Sequence, residues 1–455
     1  MPQVSSMTAA ERRASLGLAG IFGLRMLGMF IILPVFSLYA EQLPGGADHT
    51  LIGFALGAYG LTQAILQVPF GWLSDRWGRK RTIYVGLLIF AAGSFVAAAA
   101  QDIHMVILGR IIQGAGAISA AVIALTADLT RDEQRTKAMA IIGVSVGATF
   151  AISMVMSPVL NRAIGVPGLF ALTGVLALAA MAVVRWVIPD AARNHSSVTE
   201  DAASFAAVVR NPELARLNFG IFALQGVLMA LFVVVPFELR SAGLPVSKHW
   251  EVYLPVMLGS VALMVPPMIV AERRGRQTAA FLGAIVVLLA GQIGLMLGQS
   301  VSAITVSLLL FFAGFNLLEA ALPSLISRTA PAGAKGAAAG VYSSVQFLGS
   351  SVGGVAGGFI SQRLGAAWVF GFCCAVTLTW LALSVRMRVP PSGRTRSYPV
   401  PRLDPKRADG LSRKLADVPG VREALVLAGE GVAHLKVDSA RFDEQSVLEL
   451  IAGET

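Results

Sequence analysis

Charge is scarce in this sequence. Of its 455 residues only 14% are Asp, Glu, Lys or Arg, against about 25% in ordinary soluble proteins. A soluble globular chain is thereby excluded. Cysteine is almost absent: Cys373 and Cys374 are adjacent and lie inside an apolar run. Neighbouring cysteines make poor disulfide partners, and no metal or redox spacing exists. The five histidines (His49, His104, His195, His249 and His434) fall between apolar runs or in the tail. That placement argues against a histidine proton relay within a membrane. Metal cluster, nucleophile elbow and histidine pair are all missing, so no enzymatic constellation is legible and no cofactor is implied. Ten-residue segments of alternating hydrophobicity are missing too, which excludes a membrane barrel.

What fills the chain instead is hydrocarbon: 55% of residues are hydrophobic. Apolar runs of 18 or more residues recur, each long enough to cross a bilayer as a helix. Backbone groups in hydrocarbon must be bonded within their own segment, so these runs are expected to be helical. Twelve spans are predicted, near 15–40, 51–73, 82–100, 104–128, 137–161, 166–189, 215–239, 250–271, 278–298, 301–327, 335–362 and 365–386. Residues 1–14 are polar and the first run is long, so a retained span rather than a cleaved signal is expected. Placing the N-terminus inside puts 18 cations in inner loops, such as Arg12, Arg131, Arg185 and Arg328, and four outside: Arg162, Arg240, Lys248 and Arg363. That asymmetry predicts cytoplasmic termini. The net charge of +10 therefore belongs to loops at a lipid surface and does not point to nucleic acid.

The longest connection, 190–214, divides the spans six and six, predicting bundles at 1–189 and 215–386. The halves echo one another. Asp75-Arg76-x-Gly78-Arg79 is answered by Glu272-Arg273-x-Gly275-Arg276, and Lys137 by Lys335. A shared offset argues for a duplicated six-helix unit. Gln277 and Thr278 follow Arg276, where the first copy has more cations. After Arg386 the composition changes. Pro390, Pro391, Ser392, Gly393, Pro399 and Pro401 predict an extended linker at 387–402. A soluble domain follows at 403–455. Asp404-Pro405 opens a helix with Leu411 and Leu415 on one face, stopped at Gly420. Strands Val421–Leu427 and Val432–Val437 flank Gly429-Glu430-Gly431, and a second helix starts near Phe442 with Val447, Leu448 and Ile451 inward. With a strand near Tyr398–Leu403 this gives βαββα, most of a ferredoxin-like unit. Lacking cysteine, the tail suits regulation or self-association better than metal binding.

The most informative stretch is Gly71-Trp72-Leu73-Ser74-Asp75-Arg76-Trp77-Gly78-Arg79-Lys80-Arg81. It is a charged turn between two apolar runs, with glycines where helices turn and an acid among cations. Gly-x-x-x-Asp-Arg-x-Gly-Arg-Lys resembles motif A of the major facilitator superfamily. The resemblance implies a cytoplasmic latch on the outward-open state, built from Gly71, Asp75, Arg76, Gly78, Arg79 and Lys80. In that family an acid at the end of span four pairs with the motif arginine; here it is Asp128.

Charges within a bilayer cost roughly 2.5–3.5 kcal/mol on insertion scales. Arg110-x-x-Gln113-Gly114-x-Gly116 resembles motif B of the family's proton-coupled members, whose arginine faces the cavity and tunes a protonatable site. The other reading is a structural arginine on backbone carbonyls. Span five offers Gly143-x-x-x-Gly147 and Ser157-Pro158, a partial likeness to the antiporter motif C with serine for glycine. Arg25, Asn316 and Glu319 complete the intramembrane polar set, and Glu319 is the carboxylate expected near mid-membrane. Burial favours the neutral form of a carboxylic acid, which suits proton loading and release. Its expected neighbours are Asn316 and Arg25 or Arg110; a close arginine would make it a static partner instead.

The expected architecture is an all-α membrane protein of twelve helices in two six-helix pseudo-repeats, with a small α+β tail. The family resemblance implies a bacterial inner-membrane secondary transporter. It implies proton-coupled efflux of small compounds, amphiphilic ones included, by alternating access between two rocking bundles. A uniporter or symporter of the same fold, and a transporter-derived sensor, are the alternatives.

Overall fold

The computed structural model describes residues 7–189, 208–274, 276–331, 334–387, 394–401, 403–427, 431–437 and 442–453. His195 and its neighbours in the long connection, Gly275, the linker residues Pro390 to Gly393, and Gly429-Glu430 lie outside them. The side chains of Glu272, Arg273 and Lys335, the second copy of each sequence echo, lie outside them too. The chain divides into two compact units: Met1–Ser197, Asn218–Ala321 and Gly340–Val385 form one; Val198–Leu217, Leu322–Ala339 and Arg386–Thr455 form the other.

The helices are α1 (Ala9–Phe30), α2 (Leu33–Ala40), α3 (His49–Trp77), α4 (Arg79–Ala98), α5 (Ile103–Ala115), α6 (Ser119–Asp128), α7 (Asp132–Trp186), α8 (Pro212–Ser241), α9 (Trp250–Arg274), α10 (Gln277–Leu297), α11 (Val301–Thr329), α12 (Lys335–Leu364) and α13 (Ala366–Val385). Among the described residues, ten helical segments are long and apolar enough to cross a bilayer. The segment Lys137–Trp186 holds two spans, because Gly165 takes φ +68° and breaks it. The thirty-residue α12, rich in small residues, makes twelve.

Two spans expected to be continuous are broken. The first turns at Ile31–Ile32, where Pro34 cannot donate to the preceding turn. The fourth breaks at Gly116–Ile118, immediately after the motif B glycines, where helix formation is weakest.

The two halves meet along α3 and α12. A methyl group built on Gly53 would lie 2.2 Å from the Gly354 carbonyl oxygen, and one on Gly57 2.6 Å from that of Ser351. Only glycine allows these backbones to approach so closely. His49 extends the seam: its backbone N–H donates to Gln362 Oε1 at 2.8 Å, and its ring stacks on Phe237. Arg240 reaches across to Glu41 at 2.7 Å. All these contacts lie at the cation-poor end of the spans. Deeper in, Phe150 of α7 packs against Phe312 and Phe315 of α11 with ring centroids 5.8 and 5.6 Å apart.

The histidines correct the sequence reading in part. His49 and His104 sit in first helical turns, and His249 is fully buried, with Nε2 3.2 Å from the Leu244 carbonyl oxygen.

The tail is a three-stranded antiparallel sheet, β1 (Arg394–Pro399), β2 (Val421–Leu427) and β3 (Val432–Val437), in the order β1-β3-β2. Two helices complete it, α14 (Pro405–Ala416) and α15 (Glu444–Ala452). The order is βαββα as expected, but β1 starts at Arg394, within the stretch expected to be linker. Pro399 closes it and Pro401 follows, and as an edge strand it tolerates proline there. Asp404 caps α14 by accepting from the Arg407 N–H at 2.8 Å, and Gly420 takes φ +83° beyond it. Leu411, Leu415, Leu435 and Val447 form the core. Leu448, expected inward, is exposed; the inner stripe of α15 runs through Val447 and Ile451, one turn apart.

Candidate transport site and its motifs

Gly78 connects α3 to α4 with φ +100°, a conformation that side chains disfavour. The turn brings Arg79 back over the end of α3. Its guanidinium bonds Asp75 and Ser74, the latter at 2.7 Å, while Nε donates to Asp128 Oδ2 at 3.1 Å. Asp75, Arg79 and Asp128 thus meet, joining α3, α4 and α6 at the cation-rich end. All three lie in the first half, and they meet while α3 and α12 are packed at the other end, so the contact is not confined to the outward-open state that the family resemblance implied. Arg76 lies over the Trp72 ring at 4.0 Å, and Lys80 donates to the Ile188 carbonyl at 2.7 Å. A methyl at Gly71 would reach Ala120 only at 3.5 Å, an ordinary contact, so packing here does not demand glycine.

A neighbouring clamp escapes sequence reading. Glu11, 6% exposed, receives Arg131 Nε at 2.8 Å on Oε1 and Nη2 at 3.0 Å on Oε2. The Arg131 backbone N–H adds a third bond at 3.0 Å. Glu11 also closes a capping box with Thr8. The signal was Thr8-x-x-Glu11 itself, the pattern of a helix start; its long-range arginine had none.

Within the spans, Arg110 is fully buried on α5. It donates to Gln113 Oε1 at 2.7 Å and more weakly to the carbonyls of Ala55 and Gly28, and it lies 4.7 Å from the Tyr59 ring. Gln113 passes the chain to Ser94 Oγ at 2.8 Å. Arg25 of α1 donates to Ser119 Oγ at 2.5 Å and faces the Phe347 ring at 5.8 Å. Among the described residues neither arginine pairs with a carboxylate.

Glu319 of α11 is likewise free of arginine among the described residues. Gln225 Nε2 donates to Oε2 at 3.0 Å and Gln346 Nε2 to Oε1 at 3.1 Å. These donors, from α8 and α12, replace the neighbours expected from sequence. Asn316 turns away to donate to Ser260 Oγ of α9 at 3.0 Å. It shares a helix with Glu319 but not a site. Each carboxylate oxygen therefore accepts from a neutral amide, which favours the ionised form less strongly than an arginine counter-ion would.

The sequence profile of the Major Facilitator Superfamily matches residues 18–354 and 256–425. The chain belongs to the Major Facilitator Superfamily. Its relatives include the inner membrane transport protein YajR of Escherichia coli, 44% identical over 97% of this chain and 98% of that protein. The multidrug resistance protein MdtH of Aeromonas hydrophila is 27% identical over 73% of this chain and 82% of its own. The solved bacterial homologue of the human lysosomal transporter Spinster shares the fold at TM-score 0.68 and 13% identity, over 84% of this chain and 98% of that one. As a member of this superfamily the protein is a multi-pass membrane transporter handling small molecules.

Proposed function

We propose that the protein is a proton-coupled secondary transporter that exports small, amphiphilic compounds across a bacterial inner membrane. The observation carrying this reading is Glu319: an intramembrane carboxylate held by Gln225 and Gln346, with no arginine counter-ion among the described residues. Such an acid can exist in both protonation states, and neutralising it changes the electrostatics between α8, α11 and α12. Protonation then biases the balance between inward- and outward-open states. The relatives named for inner membrane transport and multidrug resistance support export. The cation asymmetry supports cytoplasmic termini.

In this reading the halves at 1–189 and 215–386 rock about their seam, joined by the 190–214 connection. Gly71, Asp75, Arg76, Gly78, Arg79, Lys80 and Asp128 form the cytoplasmic latch. Arg25, Arg110, Gln113 and Asn316 line or tune the path. The tail regulates transport or associates with a second copy, and no step is enzymatic.

The test is an uptake screen in inside-out vesicles carrying an imposed pH gradient, using a broad panel of amphiphilic compounds. At least one compound should accumulate against its gradient and lose that accumulation when an ionophore collapses the pH difference. Accumulation that ignores the ionophore, or none across the panel, contradicts the reading.

A further inference from the structure

Arg25 carries an unused hydrogen-bonding edge. Its Nη1 is committed to Ser119, but Nε and Nη2 make no well-formed hydrogen bond among the described residues although both are sealed from solvent. These two atoms form the side-on fork that takes a carboxylate through two parallel bonds. The protein uses the same fork elsewhere: at Arg131, Nε and Nη2 hold the two oxygens of Glu11. At Arg25 the same fork is present, and no carboxylate meets it among the described residues.

Among the described residues no carboxylate pairs with the guanidinium groups around this point either. Arg25 is 2% and Arg110 0% exposed. Tyr59 lies beside both: its ring is against Arg110, and its hydroxyl faces Arg25 closely enough to interact with it, without a well-formed hydrogen bond among the described residues. Arg110 Nη2 likewise has no hydrogen-bond partner among the described residues. Phe347, from the other half of the protein, faces both the Arg25 guanidinium and the Tyr59 ring, the latter at 6.4 Å. Two buried guanidinium groups with idle donors are costly unless an anion joins them for part of the cycle. The seam between halves is where alternating access would admit one, with Phe347 and Tyr59 offering aromatic contact.

We propose that Arg25, supported by Arg110 and Tyr59, binds the carboxylate of an organic anion whose apolar body rests on Phe347. The substrate class is thus an aryl or alkyl carboxylate. The proposal rests on the transport reading for its purpose but not for its test, which measures binding alone.

The full chain, purified in nanodiscs, is titrated with benzoate and with its neutral isostere benzamide, following thermal stabilisation and heat of binding. Benzoate should bind at least about tenfold more tightly, as expected for a charge-assisted pair. Arg25→Gln should erase the difference. Arg25→Lys, which keeps the charge and loses the fork, should weaken benzoate by about tenfold while leaving benzamide unchanged. If Arg25→Gln does not fold, Arg25→Lys and Tyr59→Phe carry the same comparison. Equal binding of the two probes by the wild type, or an unaltered preference in the Arg25 variants, overturns the proposal. Vesicle transport without carboxylate preference would sink this site and leave the transport reading standing. Arg25-dependent benzoate binding in a protein that moves nothing would do the reverse.

Discussion

Adding one methyl group at Gly57 should open the seam between the halves. A Cβ there meets the Ser351 carbonyl oxygen at 2.6 Å, and one at Gly53 meets that of Gly354 at 2.2 Å. Comfortable contact begins at 3.4 Å, so the shortfalls are 3.4 − 2.6 = 0.8 Å and 3.4 − 2.2 = 1.2 Å. Both obstacles are backbone, and no rotamer change removes them. Overpacking of this kind costs about 1–3 kcal/mol, or about 5- to 150-fold in the balance between closed and open seams. The two sites share one interface, so the double variant should fall short of the sum. Spin labels at exposed Ala47 and Leu364, in a Cys373→Ser/Cys374→Ser background, report the separation of these helix ends by double electron–electron resonance. Gly57→Ala should add a longer-distance population, and Gly53→Ala a larger one. Distributions unchanged in both variants, with normal membrane insertion, would refute the packing argument.

Asp75→Asn or Asp128→Asn should depress vesicle transport while the protein still reaches the membrane, because each removes one acid from Arg79; wild-type transport rates in both would end the latch assignment. Deleting residues 390–455 should leave basal transport largely intact and change its regulation or the oligomeric state seen by light scattering, whereas complete loss of transport with normal insertion would contradict that. In the tail, Arg396 and the Tyr398 hydroxyl hold the Glu444 carboxyl below the usual carboxylate range. A depressed acid stabilises the fold above its unfolded pKa, and that contribution is lost as pH falls through the folded one. Protection factors of β1 and α15 in the full chain, with exchange rates corrected for their intrinsic pH dependence, should therefore fall on acidification, and less so in Glu444→Gln.

The fold was legible because hydrophobic length is a local property: each span announces itself without its neighbours. The breaks at Ile31 and Gly116 followed from Pro34 and Gly116, residues whose helix cost is intrinsic but whose outcome depends on packing. Motif A was legible as a turn because Gly78, Asp75 and Arg79 are close in sequence, and Asp128 was reachable by family resemblance. Long-range partners were not legible. Nothing near Glu319 foretold that Gln225 and Gln346 would hold it, since they come from positions 94 and 27 residues away. Asn316, one turn before Glu319, looked like its partner and instead bonds Ser260. The Glu11–Arg131 clamp spans 120 residues and left only its local capping signature in the sequence.

The central claim is that Glu319 carries the coupling proton. The direct measurement compares gradient-driven accumulation with equilibrium exchange in proteoliposomes of wild type and Glu319→Gln, using a compound found in the vesicle screen. Glutamine keeps the shape and mimics the neutral acid. The account predicts that Glu319→Gln loses accumulation driven by the pH gradient and retains exchange. Accumulation by Glu319→Gln with the wild-type dependence on pH would contradict it.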